Sequence, residues 1–164
     1  VHCALCIMNS LTSFNTNKNM RKFMMALVAM LIVSCGCFAQ ADKIVGIYKT
    51  THDGVNSKIK IFKVKDGYRA QVIWVDNLKK EDGSTRTDEK NPDPAKRNTP
   101  ANSIVLIDRV TYNAKKDQWA DGKIYEPTSG KTWTVTCSFE NDTKLRVRGS
   151  FGPFGKSVYW SKIE

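Results

Sequence analysis

The chain has 164 residues, 26 of them basic and 16 acidic, with a net charge of +10, five cysteines and two histidines. Once an N-terminal leader is set aside, the remainder suffices for one domain with a core but not comfortably for two. Only His52 and Cys137 of their kinds lie beyond that leader, which excludes an internal disulfide and leaves a typical zinc site short of ligands.

Residues 1–19 show no periodicity and precede a basic methionine start, so they read as an over-extended gene start without a fold. From Met20 the order is basic (Arg21, Lys22), apolar (residues 23–33), then small ("SCGCFAQA"), which is the order of a secretory signal. Its 11 apolar residues are too few to span a bilayer as a helix. Cleavage is expected after Ala41, and cleavage after Ala39 is also allowed. In the alternative reading "IVSC" (residues 32–35) is a lipoprotein signal, and Cys35 is lipidated and anchors the protein. Either way the destination is the bacterial envelope, with the periplasm expected.

Loss of the leader removes three basic residues and no acidic one, so residues 42–164 carry +7. In the cytoplasm such a charge would suit nucleic acid; after export, anionic lipid headgroups or envelope polysaccharide are the available counterparts, and no nucleic acid partner is expected. Ordinary solubilising charge on strand faces is the plainer explanation.

Beyond Asp42 the chain divides into short segments rich in β-branched and aromatic residues, at 44–50, 57–64, 67–75, 103–112, 119–126, 131–140, 143–150 and 156–163. Asp53-Gly54, Asp66-Gly67, Asn141-Asp142 and residues 127–130 supply turns between them. Trp133, Val135, Cys137 and Phe139 alternate with polar residues, as do Leu145 and Val147 with Lys144, Arg146 and Arg148. One face of these strands is dry and the other wet. Eight such strands in succession predict an all-β, eight-stranded antiparallel up-and-down barrel, with an open sandwich as the alternative.

Residues 76–102 interrupt the run of short turns. There Asn91 can cap, Pro92 can take the first helical position, and Asp93 and Arg97 would share one side of about two turns of helix. Asp93, Arg97, Glu126 and Arg148 form a candidate ion-pair cluster fastening this helix to the barrel rim.

The combination of Asn91-Pro92-Asp93-Pro94 with Arg97, "GKIYEP" (122–127) with Gly130-Lys131, "LRVRG" (145–149) and "GPFGKSVYW" (152–160) resembles the exported bacterial family known as domain of unknown function 2147, DUF2147. The resemblance covers nearly all of residues 42–164. It departs at Gly46-Ile47-Tyr48, where the family has Gly-x-Trp, and in the longer charged stretch after the third strand. It implies a small barrel similar to lipocalins and fatty-acid-binding proteins, and supplies no reaction.

The residues name no catalytic set. His52 reads as a solvated turn residue and Cys137 as inert core. Asp93, Asp121 and Glu126 are the carboxylates available for acid–base work, but no spacing brings them together. The oxygen-rich residues 76–83 do not follow a calcium loop, and neither a metal nor a cofactor is expected. Trp74, Trp133, Cys137, Phe139, Leu145 and Trp160 are the expected interior, and so much aromatic bulk argues for a small cavity. Asp93, Arg97, Tyr125, Glu126, Arg148, Phe151 and Phe154 are the expected ligand-binding or rim residues. The leading expectation is a monomer that binds a small hydrophobic or amphipathic envelope molecule. A filled barrel that binds an envelope protein partner through the charged connection and the Phe151–Phe154 turn is the second reading. An envelope hydrolase is the third.

Overall fold

Eight strands, Gly46–His52 (β1), Val55–Val64 (β2), Gly67–Val75 (β3), Val105–Asn113 (β4), Gln118–Glu126 (β5), Lys131–Phe139 (β6), Lys144–Phe151 (β7) and Phe154–Lys162 (β8), follow one another around a closed antiparallel barrel. The computed structural model describes residues 40–164; the expectations for Cys35, the apolar run and residues 1–19 lie outside the described residues. The last strand returns to the first through Tyr48↔Lys162 and Lys49↔Ser161. Closure removes the unpaired edges that an open sandwich would keep.

Up-and-down order sends the β1–β2, β5–β6 and β7–β8 turns and the long β3–β4 connection to one end of the barrel. Side-chain size is graded along its axis. Towards the other end, inward positions carry large groups: Tyr48, Ile61, Tyr68, Trp119 and Leu145 are all buried, with Phe139 packed against them. Trp119 sits 5.0 Å from Tyr112 and edge-on to Phe139 at 5.8 Å. Each such side chain withdrawn from water contributes about 1.5–3 kcal/mol, so this half of the barrel is where the fold is held. Cys137 is fully buried here, and burial pushes its thiol up to about 12, leaving it neutral at any physiological pH.

The segment before β1 closes this end as a floor. Ile44 is fully buried and its carbonyl accepts the Tyr48 hydroxyl at 2.7 Å. Asp42 accepts the Tyr68 hydroxyl at 2.6 Å and takes Lys63 as an ion pair; the tyrosine bond, more than the lysine, holds its carboxyl below the usual range. The Trp119 indole N–H donates to the Ala41 carbonyl at 3.0 Å. The floor, the core and all eight strands lie within the unit Ala41–Glu164, which therefore holds the contacts it needs to fold by itself. A chain starting at Asp42 loses the acceptor of a buried indole and should be about 1–3 kcal/mol less stable than one starting at Gln40. Urea unfolding of the two chains checks this.

β3 departs from the expected alternation. Ile59 faces Val72 and Lys58 faces Trp74, so Ile73 is an extra residue in β3 and forms a bulge. Alternation runs inward at Tyr68, Ala70 and Val72, then slips by one, and Val75 takes the inward place assigned to Trp74. Trp74 is instead 43% exposed, with the Lys58 ammonium 5.7 Å from its ring centroid. The β3–β4 pairing also shifts register between Tyr68 and Gln71, and β5–β6 between Trp119 and Gly122. At Gly122 an added Cβ would lie 2.0 Å from the Arg109 carbonyl oxygen, so β4 and β5 meet too closely there for any side chain.

Candidate ligand-binding site

Many inward positions in the open half are small or medium: Thr50, Val55, Ser57, Val72, Val75, Gly149 and Val158. They leave a cavity of about 600 Å³. Trp160, Ile59 and Val147, all buried, separate it from the core, and Ile104, Leu106, Ile124 and Trp133 line its walls. This is larger than the expectation of an aromatic-filled interior. Two of the rings expected to fill the space lie elsewhere, Trp74 outside the barrel and Phe139 with the core.

Polar groups gather at the mouth. His52, at the end of β1, places Nε2 3.3 Å from Asp53 Oδ2 and 3.6 Å from Glu126 Oε1. β1 and β5 stand on opposite sides of an eight-strand ring, so the His52–Glu126 contact reaches across the opening. The Ser129 hydroxyl donates to the other Glu126 oxygen, and Lys156 completes the rim. His52 is thus part of the mouth, where the sequence suggested only a solvated turn. A carboxylate, an imidazole and an ammonium around an apolar shaft can orient the polar end of a guest. Among the described residues no group of three or more histidine, cysteine or acidic side chains is placed to hold a metal ion.

The family profile described as an uncharacterized protein conserved in bacteria, DUF2147, matches residues 46–162, the whole barrel from β1 to β8. The chain belongs to the DUF2147 family. Among solved structures it is similar to HP1028 from Helicobacter pylori, described as a member of the lipocalin family, with a TM-score of 0.61 and 25% identity over 74% of this chain and 83% of that one. No curated protein matches it.

The DUF2147 segment around Asn91 is built differently from the expected two-turn helix. Asp93 precedes Pro94, and a residue before proline is driven out of the helical region; its φ and ψ are −84° and 110°. Helical structure therefore starts only at Pro94 and amounts to one 3-10 turn, Pro94–Lys96, capped by Asp93 through the Ala95 N–H. A second 3-10 turn, Ala101–Ser103, leads into β4. Asn91 is not the cap. It is buried, accepts from the Asp93 N–H and donates from Nδ2 to Asp88 at 2.7 Å.

The organising residue is Asp88, only 3% exposed. Its second oxygen accepts the Tyr125 hydroxyl at 2.6 Å, tying the connection to the end of β5 beside the cavity. Burial, and then this bond, raise the Tyr125 phenol well above its ordinary value. The Asp88 N–H donates to Thr99, and Lys90 reaches the Thr128 carbonyl in the β5–β6 turn at 2.6 Å. Gly130 meets the Lys90 carbonyl so closely that an added Cβ would stand 2.2 Å from it, and its φ of +70° also suits glycine.

The expected rim cluster does not assemble. Asp93 pairs with Lys96 at 3.6 Å, while Arg97 donates to the Asn91 carbonyl within its own loop. Among the described residues no ion pair joins Asp93 or Arg97 to Glu126 or Arg148; the Arg148 guanidinium lies over Gly155 on the neighbouring strand. Tyr125 and Glu126 line the cavity, as does Phe154, and Phe151 stands exposed at the β7–β8 turn. Cys137, Leu145 and Trp160 are buried, and Trp133 is half-buried in the cavity wall. Sequence reasoning missed Asp88 and Trp119. Asp88 sits among acidic neighbours of the same kind, Asp82 and Glu89, and only the tyrosine brought opposite it by folding sets it apart.

Proposed function

We propose that the barrel is an exported, periplasmic binding protein for a small hydrophobic or amphipathic envelope molecule, held in the cavity above Trp160. The observation that carries the proposal is an apolar shaft of about 600 Å³ with its charged groups confined to the mouth. Volumes of roughly 300–1,000 Å³ with such a division of lining are those of small-molecule pockets, and an eight-stranded barrel has room for one such guest. The likeness to a lipocalin-family protein supports the same reading. The guest's apolar part fits against Ile104, Leu106, Ile124 and Trp133, and its polar end against His52, Glu126 and Lys156. The partner-binding alternative with a filled barrel loses its premise, because the open half is not filled.

Two measurements test this reading. Native mass spectrometry of protein recovered from a bacterial periplasm without detergent should show added mass that disappears on denaturation. A brominated fatty acid should quench tryptophan emission, since Trp133 and Trp160 both border the cavity, and replacing Trp133 by phenylalanine should reduce that quenching. A bare polypeptide mass together with unquenched emission would overturn the proposal.

A further inference from the structure

The β7–β8 hairpin ends in a tight turn, Gly152-Pro153, between the paired Phe151 and Phe154. These are the most exposed large apolar side chains among the described residues, at 72% and 77%. Isolated exposed apolar residues are ordinary on a protein surface, but this pair is continuous with the cavity. Phe154 lines it, and the Phe151 ring stands edge-on to Trp133, a wall residue, with centroids 6.4 Å apart. The β7–β8 turn is therefore an exposed apolar lip leading into the shaft.

Charge on the hairpin that carries the lip has one sign, while the acidic groups of the mouth, Asp53 and Glu126, belong to other strands and turns. Residues 143–163 contain five basic side chains and no acidic one. Two of the five, Arg148 and Lys156, flank the tip. β6 runs past Thr134, the partner of Ser150, to the exposed Lys131, adding a third positive charge at that level. Among the described residues none of these three is in a salt bridge, in contrast to Lys63, Lys80 and Lys144 elsewhere on the barrel. Two protruding rings offer far less area than a stable protein interface requires, roughly 800 Å² per partner. They suit a partner that surrounds them, and unpaired ammonium and guanidinium groups behind them suit one whose surface is anionic.

We infer that the Phe151–Phe154 hairpin docks the barrel on an anionic lipid bilayer, with the two rings in the headgroup–acyl boundary and Lys131, Arg148 and Lys156 against the lipid phosphates. This places the cavity mouth on the bilayer, so that an amphipathic guest can pass without crossing water. The docking goes beyond the binding proposal and does not depend on it, since the lip and its charge stand whether or not the shaft is occupied.

The test is flotation of residues 40–164 with vesicles of phosphatidylglycerol and phosphatidylethanolamine in equal parts, and with vesicles of phosphatidylcholine alone. The protein should float with the anionic vesicles, weakly with the neutral ones, and less as salt rises. F151S/F154S should lower the partition coefficient roughly tenfold or more. Replacing Lys131, Arg148 and Lys156 by glutamine should remove the preference for anionic lipid. Phe151 and Phe154 bound the turn, Lys131 and Lys156 are exposed at the strand ends beside it, and none of the five positions is buried, so unchanged circular dichroism will show that the variants fold. Flotation should also fall in the single variant F151S, whose side chain does not line the cavity, and fatty-acid quenching in solution should survive that change, which separates loss of docking from loss of the cavity. Equal flotation of parent and double variant would overturn the inference, as would no flotation at all. So would sedimentation showing a parent dimer that becomes monomeric in the double variant without any lipid binding, because the lip would then be an interface between copies.

Discussion

Replacing Gly149 by phenylalanine should abolish guest binding while leaving the barrel folded. Gly149 faces the cavity from β7, opposite Val135, and does not use a backbone conformation reserved for glycine. An added Cβ would meet Trp133 Cβ at 3.4 Å and Ile124 Cγ2 at 3.6 Å, ordinary contacts, on a position that lines the cavity. A phenyl ring there occupies the volume a guest needs. The expected result is a loss of affinity for a brominated fatty acid of at least about a hundredfold, as a guest forfeits several buried methylenes at about 0.8 kcal/mol each. Gly149→Ala adds one methyl and should stay within a few-fold of the parent, with stability raised by about 0.4–1 kcal/mol through the unfolded chain. Gly122→Ala is the contrasting case, since its Cβ would meet the Arg109 carbonyl and force β4 from β5. Unchanged affinity in folded Gly149→Phe would show that the guest lies elsewhere.

The same inward positions explain how far the amino-acid pattern alone reveals the barrel. Strand identity is readable because β-branched runs between Asp-Gly and Asn-Asp turns have few other ways to bury one face, and in β6 and β7 the alternation at Val135, Cys137, Leu145 and Val147 carries straight into the core. The pattern misleads at Trp74 because a bulge is one residue long and leaves no mark in it: "QVIWV" alternates equally well with or without the bulge. Cavity size is hidden for a related reason. Volume depends on where along the barrel axis the large rings fall. Trp119 and Phe139 meet edge-on in the core while Gly149 and Ser57 sit at the open end, an arrangement set by register across several strands. The longer helix expected over the rim is lost locally: Pro92 suits a first helical position, but Pro94 drives Asp93 out of the helical region and delays the first turn.

Asp88→Ala should detach the long connection from the barrel. The carboxylate is buried and accepts from two side chains, the Tyr125 hydroxyl and Asn91 Nδ2; without it the buried Asn91 amide and the half-buried Tyr125 hydroxyl both lose their acceptor. Hydrogen bonds to a charged group are worth about 1.5–3 kcal/mol each and share a network here, so a loss of about 2–4 kcal/mol is expected, read as a lowered urea midpoint at constant m. Tyr125→Phe removes one donor with its hydrogen bond and should cost less, about 1–2 kcal/mol. Because the two residues act on one another, the double variant should be less destabilised than the sum of the singles. The connection carries Lys79, Lys80, Arg86, Lys90, Lys96 and Arg97, so trypsin should cut it first in the Asp88→Ala protein while strand ladders on the far side stay protected. If cutting and unfolding match the parent, Lys90 and Gly130 at the β5–β6 turn hold the segment without Asp88. If they differ as expected, the Asn91-Pro92-Asp93-Pro94 stretch is a fastening whose partner is a tyrosine at the cavity wall, and any movement of the connection reaches the guest through Tyr125.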